Sequence, residues 1–546
     1  MRFPRILTLL TAVVVLVAVR PAAAAWTFTE VAASSGFVYQ HGFTGIPIDI
    51  AQAQTWTISG GAAAADYDRD GDIDVYAVRG DVGANLLFQN DGNGNFTEVG
   101  AAAGVSGAPV AGSGPVFADI DGDGWPDLLV GGVDGSASVI YRNNGNGTFQ
   151  NVTGTAGFTP FGAVFSMSLG DFDHDGDLDI AAVHWLFDLR VTLWQNDGAG
   201  VFTDITASSG LQVGQIYGFS PTFSDIDGDG WVDLLVGADF GTSRVFRNLT
   251  NGTFTETTTA MIDDENGMGA AAFDYDNDGD VDWLVTSIWD PNQTSEGNWG
   301  ISGNRLYRNL GNGVFEDRTT AAGVREGYWG WGACAQDLDQ DGHMDVFHTN
   351  GFGEGAAGEF VADPSRLFHA QGNGTFSETS AALGIVDTGQ GRGVLCFDHD
   401  GDGDLDVFVA NNGGAPTLYR NDDPTGNYLR VRLTSASGNT EGIGAVVRAT
   451  IGAVTQMREI HAGTNFASAS PAIAHFGTGA ATTVDAIQVE WPDGQITTQM
   501  SVAVGQEIVI LKETPAAVPG PGPWLLILLF ASMGAGWIAW ARAARN

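Results

Sequence analysis

The sequence predicts an all-β protein: a seven-bladed β-propeller, that is, a ring of seven four-stranded sheets, followed by a small C-terminal β-sandwich domain. Three observations carry that expectation. A segment of the form D-x-D-x-D-G-x-x-D occurs seven times, beginning at Asp66, Asp119, Asp171, Asp225, Asp274, Asp337 and Asp398, at spacings of 53, 52, 54, 49, 63 and 61 residues. A second segment, rich in Asn and Gly, recurs after most copies. Glycine supplies 78 of 546 residues, about twice the usual share of roughly 7%, which calls for many turns rather than long helices. Repetition with a period of about fifty residues is the mark of a propeller or solenoid.

In chain order, Arg2 and Arg5, the apolar run Ile6 to Val19 and the small residues Ala22 to Ala25 make residues 1–25 a secretory signal peptide. The propeller is expected over 26–423. In each repeat a short run of small or apolar residues precedes the aspartate segment, and a strand-like apolar run follows it, as in I-D-V-Y-A-V after Asp72. Then come L-L-F-Q-N-D-G-N-G-N-F (86–96), V-I-Y-R-N-N-G-N-G-T-F (139–149) and their relatives at 306–315 and 367–376. Asn/Gly between two apolar runs is a hairpin signal, because such turns need residues with φ > 0. Each repeat therefore holds four strands, the number in a propeller blade. The last strand opens F-x-[E/D], and an extra copy, Phe28-Thr29-Glu30-Val31, stands before the first repeat, while the seventh repeat stops at L-Y-R-N (418–421). The N-terminal strand is thus expected to complete the last blade and remove a free sheet edge.

The charge balance is extreme. There are 65 acidic residues against 23 basic ones, a formal net charge of −42, and 32 of the acids are aspartates of the seven loops. Such self-repulsion opposes compaction unless cations offset it, and it excludes nucleic acid and anionic membrane surfaces as partners. Calcium takes six to eight oxygen ligands, and a loop with carboxylates at positions 1, 3, 5 and 9, a turn glycine at 6 and a carbonyl at 7 suits it better than magnesium. The expected ligands are Asp66, Asp68, Asp70 and Asp74 in the first loop and Asp119, Asp121, Asp123 and Asp127 in the second. Asp171, Asp173, Asp175 and Asp179 serve the third, and Asp225, Asp227, Asp229 and Asp233 the fourth. Asp274, Asp276, Asp278 and Asp282 serve the fifth, Asp337, Asp339, Asp341 and Asp345 the sixth, and Asp398, Asp400, Asp402 and Asp406 the seventh. Position 12 is Ala77, Val130, Ala182, Val236, Val285, His348 or Val409, so none supplies the acid an EF-hand needs there. Up to seven structural Ca2+ ions are expected. His174, His343 and His399, at variable positions inside the loops, are expected to face solvent.

D-F-D-H-D-G-D-L-D (171–179) and its siblings resemble the FG-GAP/VCBS repeats of integrin α-subunit propellers and of many exported bacterial proteins, which implies integrin-type calcium loops. After them, N-Y-L-R-V-R-L (427–433), G-I-G-A-V-V (442–447), Q-M-R-E-I (456–460), H-F-G-T-G (475–479) and V-D-A-I-Q-V-E-W-P-D-G (484–494) resemble the ASPIC/UnbV domain, expected over 424–512. By themselves these segments alternate apolar and polar residues and read as the small sandwich. A Pro/Gly linker (513–523), an 18-residue apolar stretch (524–541) and a basic tail (542–546, with Arg542 and Arg545) follow. The stretch is just long enough to span a bilayer, and the arginines place the C-terminus in the cytoplasm and the body outside. This tail resembles PEP-CTERM sorting signals, although V-P-G-P stands where P-E-P is usual; a simple tail anchor is the alternative.

Function is expected away from the loops. Two insertions, 287–304 and 350–366, join the second and third strands of blades five and six, on the face opposite the aspartate loops; by the integrin resemblance that is the ligand face. Trp289, Trp299, Tyr328, Trp329 and Trp331 offer an aromatic platform for a sugar or peptide, unless these tryptophans pack between blades. No nucleophile elbow, H-E-x-x-H or P-loop is present. The expected function is a non-enzymatic binding or adhesion module for a protein or glycan at the bacterial cell surface, tethered to the membrane. The alternatives are an extracellular polysaccharide lyase or hydrolase, with acids in the channel or on the loop-rich face, and a scaffold for an exported complex. Cys334 and Cys396 precede successive loops; they either pair or stay as two buried free thiols, the plainer expectation in a chain with no disulfide framework.

Overall fold

A computed structural model describes residues 26–45, 50–107, 111–133, 135–186, 188–291, 299–353, 360–422 and 426–513. The expected signal peptide (1–25) and the segment 514–546, with its apolar stretch and basic tail, lie outside the described residues. Among the described residues no helix is long and apolar enough to cross a membrane.

Seven four-stranded sheets follow one another along the chain. The first runs Ala62–Ala65, Asp74–Ala77, Leu86–Asn90, Phe96–Glu98, each of these strands antiparallel to the next. The others repeat this order, and their first strands are Gly112–Ala118, Val164–Gly170, Tyr217–Ser224, Ala270–Phe273, Gly330–Gln336 and Gln390–Phe397. Each first strand packs against that of the next sheet, and the seventh packs against the first, so the array closes into a ring. These inner strands are crowded and built of small residues, A-A-A-A in the first sheet and G-W-G-A-C-A-Q in the sixth. Second strands such as D-L-L-V-G-G are buried along their whole length, between neighbouring sheets.

The N-terminal strand Thr27–Glu30 pairs antiparallel with Thr417–Asp422, Phe28 opposite Asn421, and completes the seventh sheet as the sequence anticipates. Cys334 and Cys396 form a disulfide with Cα atoms 6.4 Å apart, in place of the two free thiols expected. The reason is positional: they occupy facing sites on the inner strands of the sixth and seventh sheets.

The C-terminal strands form two sheets: Ile473–Gly479, Asn427–Thr434 and Gln506–Leu511 in one, and Val454–Glu459, Val446–Ile451, Thr483–Glu490 and Ile496–Ala503 in the other. Leu429, Val431 and Leu433 alternate inward while Arg430 and Arg432 point the other way. Their apolar core runs on without a break into that of the first three sheets of the ring. In every ring sheet the aspartate loop joins strands one and two, and in the first six the Asn/Gly hairpin joins three and four at the same end, the fourth strand of the seventh being Thr27–Glu30. Connections two-to-three and four-to-one emerge at the other end. The ring thus has a loop face and an opposite face.

Candidate metal loops and a cleft on the opposite face

The seven aspartate loops share one backbone. The position-6 glycines (Gly71, Gly124, Gly176, Gly230, Gly279, Gly342, Gly403) all have φ between 89° and 104°, a region that strains any side chain. Their N–H groups donate to the position-1 carboxylate at 2.7–3.1 Å in loops two to seven. The position-9 carboxylate is wholly buried and accepts two backbone bonds. In the first loop Asp74 takes the N–H of Tyr67 at 3.3 Å and that of Asn90, on the third strand, at 2.9 Å; the third-strand bond recurs in all seven sheets at 2.7–2.9 Å. In six of the seven sheets the residue before this third-strand position holds position 3, the exception being Arg420, which pairs with Asp422. Gln89 bonds Asp68 and Gln195 bonds Asp173, both at 2.6 Å, Arg308 meets Asp276 at 2.8 Å, His369 meets Asp339 at 3.0 Å, and Arg142 and Arg247 pair with Asp121 and Asp227.

The third-strand asparagine also clasps the neighbouring sheet. Its Nδ2 donates to the position-2 carbonyl of the preceding loop: Asn143 to Tyr67, Asn196 to Ile120, Asn248 to Phe172, Asn309 to Ile226, Asn421 to Leu338 and, across the ring closure, Asn90 to His399, all at 2.7–2.9 Å. The sixth sheet has Ala370 at this position.

The loops fit a hard cation. Oδ1 of Asp66, Asp68, Asp121, Asp171, Asp173, Asp276 and Asp400 is buried with no hydrogen-bond partner, a costly state for a carboxylate that nothing neutralises. Ligand atoms of Asp66, Asp68 and Asp70, of Asp119, Asp121 and Asp127, and of Asp171, Asp173 and Asp179 lie within 4.8 Å of one another. Burial pushes Asp127 and Asp233 up to about 8 and Asp74 and Asp282 up to about 9; a bound cation would favour the ionised form instead. Two groups add a nitrogen, Asp339, Asp341 and His369 and also His399, Asp400 and Asp406. His399 corrects the solvent-facing expectation. It sits at position 2, whose side chain is buried in every loop, and is only 3% exposed, with Nδ1 2.6 Å from Asp406. His174 stacks on Trp231 at 3.7 Å.

The C-terminal sheets sit on the loop face and touch every loop. Arg430 pairs with Asp398, Arg432 reaches Asp66 at 3.4 Å, and Glu507 joins both arginines. Thr440 donates to Asp119, whose N–H meets Glu441 at 3.1 Å; Asn439 N–H reaches the Gly176 carbonyl at 2.9 Å; and Glu459 accepts from Asp225 N–H at 3.3 Å. Burial pushes the carboxyls of Asp274 and Asp337 up to about 7, and the buried Arg458 guanidinium opposes that push. From this domain the segment 462–470 enters the ring's centre. The Ala462 carbonyl accepts from Leu169 N–H at 2.8 Å, Asn465 Oδ1 from Ala333 N–H at 2.7 Å and Ser468 Oγ from Val394 N–H at 3.0 Å. Ser468–Ala469 adds a parallel strand to Ala62–Ala63. Phe466 is fully buried against Phe165, Phe219 and Trp331. At the other mouth lies the helix Ile50–Ile58, whose Thr57 carbonyl accepts from buried Arg392 at 2.6 Å.

The expected aromatic platform separates into two parts. Trp331 and Trp329 are only 2% and 5% exposed, which corrects their reading as ligand-face residues. Trp331 lies on the sixth inner strand, whose channel side is filled by Phe466 and Arg392, and Trp329 stacks on Phe352 at 4.3 Å. Trp299 is half-buried against Trp329. Trp289 remains on the wall of a cleft of about 810 Å3 between the fifth and sixth sheets, with Tyr328, Arg325, Glu326, Phe360 and Arg366. Arg325 lies over Trp289 at 5.8 Å and Arg366 over Tyr328 at 4.2 Å. The clasps, the position-3 partners and the C-terminal contacts were not foreseen. The recurrent pair before each hairpin, Q-N or R-N, is the signal that would have found the first two.

The FG-GAP-like repeat family matches residues 66–130, 119–182, 225–285 and 294–348, and the ASPIC and UnbV family matches 435–517. Cartilage acidic protein 1 of Mus musculus is 27% identical over 309 residues, covering 55% of this chain and 44% of that protein. The Homo sapiens protein is 25% identical over 325 residues, covering 58% and 45%. The chain therefore spans less than half the length of these curated relatives. Human integrin alpha-7 is 32% identical over 151 residues, 24% of this chain and 12% of that one. Among solved structures, the BP39L lectin of Burkholderia pseudomallei aligns with 14% identity and TM-score 0.45 over 67% of this chain and 97% of its own, and YCF48 of Cyanidioschyzon merolae with 11% and 0.40 over 72% and 98%. Both superpositions are loose, and the fold rests on the sheets themselves.

Proposed function

We propose that this chain, in which FG-GAP-like repeats are joined to an ASPIC/UnbV domain and which is homologous to cartilage acidic protein 1, is a calcium-stiffened, non-enzymatic binding module for a protein or glycan, displayed outside the cytoplasm. The observation that carries this reading is the occupation of the loop face. The C-terminal domain contacts all seven loops and its Phe466 segment fills the channel, while the opposite face keeps an open cleft with aromatic and charged side chains. Aromatic rings beside hydrogen-bonding groups are the usual furniture of a sugar or peptide site. A lyase or hydrolase with acids in the channel is disfavoured because a substrate chain would meet Phe466 and its neighbours there.

The aspartate loops, in this reading, each hold one Ca2+ ion through positions 1, 3, 5 and 9 with the position-7 carbonyl, and the ions rigidify the ring rather than react. Export through residues 1–25 and tethering through 524–541 follow from the sequence alone and belong to the same proposal.

The test is a glycan and peptide array probed with the exported body, residues 26–513, in calcium. Retained folding with loss of binding on Trp289→Ala is the expected result, and the same loss is expected for Trp289→Ala combined with Trp299→Ala. Binding that survives both changes, or turnover of a polysaccharide panel that survives them, overturns the reading.

A further inference from the structure

The seven junctions of the ring are not equal. Six are clasped by an asparagine that bonds both its own loop and the preceding one; Asn248, for example, donates to the Val232 carbonyl at 3.1 Å and to the Phe172 carbonyl at 2.8 Å. The junction between the fifth and sixth sheets has Ala370 in that place. The local backbone is otherwise the same: Ala370 N–H still donates to Asp345 at 2.7 Å, and Gly372 keeps φ 65° where the first hairpin has Gly92 at 74°. What is lost is the cross-sheet bond to the carbonyl of Tyr275, which lies between the first two carboxylates of the fifth loop.

Two hollows lie at the same junction. A cavity of about 110 Å3 lies between the fifth and sixth inner strands beneath the C-terminal domain, with Asp274, Arg458 and His475 in its wall. On the opposite face the 810 Å3 cleft lies across the same junction: Trp289 and Pro291 come from the fifth sheet, Phe360 and Arg366 from the sixth. The adjoining junction is fastened twice, by Asn421 and by the Cys334–Cys396 disulfide. Missing clasp, cavity and cleft coincide at one joint of seven.

We propose that the ring is a split ring whose seam lies between the fifth and sixth sheets, and that opening of this seam sets the width of the cleft; this rests on the reading of the cleft as the recognition site. The clasped sheets form one continuous series from the sixth, through the seventh and first, to the fifth, with its two ends facing each other across the cleft. A ligand spanning Trp289 and Phe360 closes the ring as an asparagine does elsewhere.

Hydrogen–deuterium exchange on residues 26–513 in calcium, with no ligand, tests the seam directly. Amides of the fifth loop (274–282) are expected to exchange about tenfold faster than those of the fourth (225–233), the equivalent of about one net hydrogen bond. Ala370→Asn is expected to remove most of that difference. Asn248→Ala is expected to create a second fast loop at 171–179, and it decides the matter should Ala370→Asn fail to fold. A fifth loop no faster than the fourth, or an Asn248→Ala protein whose third loop is unchanged, overturns the seam. Since no ligand is present, a protein that binds nothing on the array yet shows the fast fifth loop supports the seam and overturns only the binding reading.

Discussion

The two faces of the ring differ in how far they repeat. On the loop face one nine-residue device is repeated seven times with nearly the same bonds: third-strand N–H to position 9 in all seven copies, and position-6 glycine to position 1 in loops two to seven. A second domain then covers all seven copies. On the opposite face only half of the connections repeat: those from strand four to strand one share a single helical turn closed by a left-handed glycine, as at 100–104, 153–157, 206–210 and 319–323, whereas those from strand two to strand three vary in length and composition. The helix Ile50–Ile58 closes the channel mouth, and the cleft uses side chains found in one sheet pair alone. Repetition yields a frame, since each copy solves the same local problem of turning a chain around clustered carboxylates. Difference is found in the strand-two-to-strand-three connections, and the proposed recognition site lies among them.

Changes on the loop face should therefore act on stability, and changes in the cleft on binding. The largest single-residue effect is expected at Arg458. Arg458→Ala removes three hydrogen bonds, to the carbonyls of His475 and Met457 and to Gln456, together with the buried positive charge that opposes those of Asp274 and Asp337, and should cost about 3–5 kcal/mol, the usual size when a buried charge is left without its counter-charge; denaturant unfolding measures it. Reduction of Cys334–Cys396, 62 residues apart in sequence, should cost roughly 4 kcal/mol by loop-closure entropy, read as a lower unfolding midpoint in dithiothreitol.

The pH dependence sharpens the comparison further. In chelated protein Asp74, Asp127, Asp233 and Asp282 titrate at about 8 to 9 because they are buried, against an ordinary value of 3.8. The folded state then binds more protons than the unfolded one. The stability these carboxyls contribute is complete below pH 4 and is lost as pH rises to about 9. Calcium holds the ionised forms and should flatten or reverse this fall, which melting scans at pH 5 and pH 8 with and without chelator will show. The smallest stability effect is expected for Trp289→Ala in the half-exposed cleft, within about 0.5 kcal/mol, together with loss of array binding. A large destabilisation there would erase the distinction between the faces.

Much of the frame was legible in the sequence because repetition multiplies a weak signal. One D-x-D-x-D-G loop is ambiguous, but seven at blade spacing are not, and the stray F-T-E at Phe28 marked how the ring closes. The covering of the loop face was not legible. Arg430, Arg432, Thr440, Glu441, Arg458 and Glu459 reach their loops from up to several hundred residues away, and such contacts leave no period in the chain. Trp331 was misread for a related reason. G-W-G-A-C is an inner strand flanked by small residues, but whether its channel side faces water or Phe466 depends on another domain. Ala370 was visible all along as the one departure from the Q-N or R-N pair, yet it gained meaning only once the asparagine was seen bonding the neighbouring sheet.

The central claim is that the loop face is a cation-held frame. Its most direct test is the calcium content of purified residues 26–513 together with their melting temperature before and after chelation. Close to seven calcium ions per chain are expected, one for each loop, with a melting temperature that falls by more than about 10 °C in EDTA and returns with calcium. Each site saturated at a hundred times its dissociation constant contributes about 2.7 kcal/mol. A metal-free protein whose melting is the same in EDTA and in calcium would contradict it.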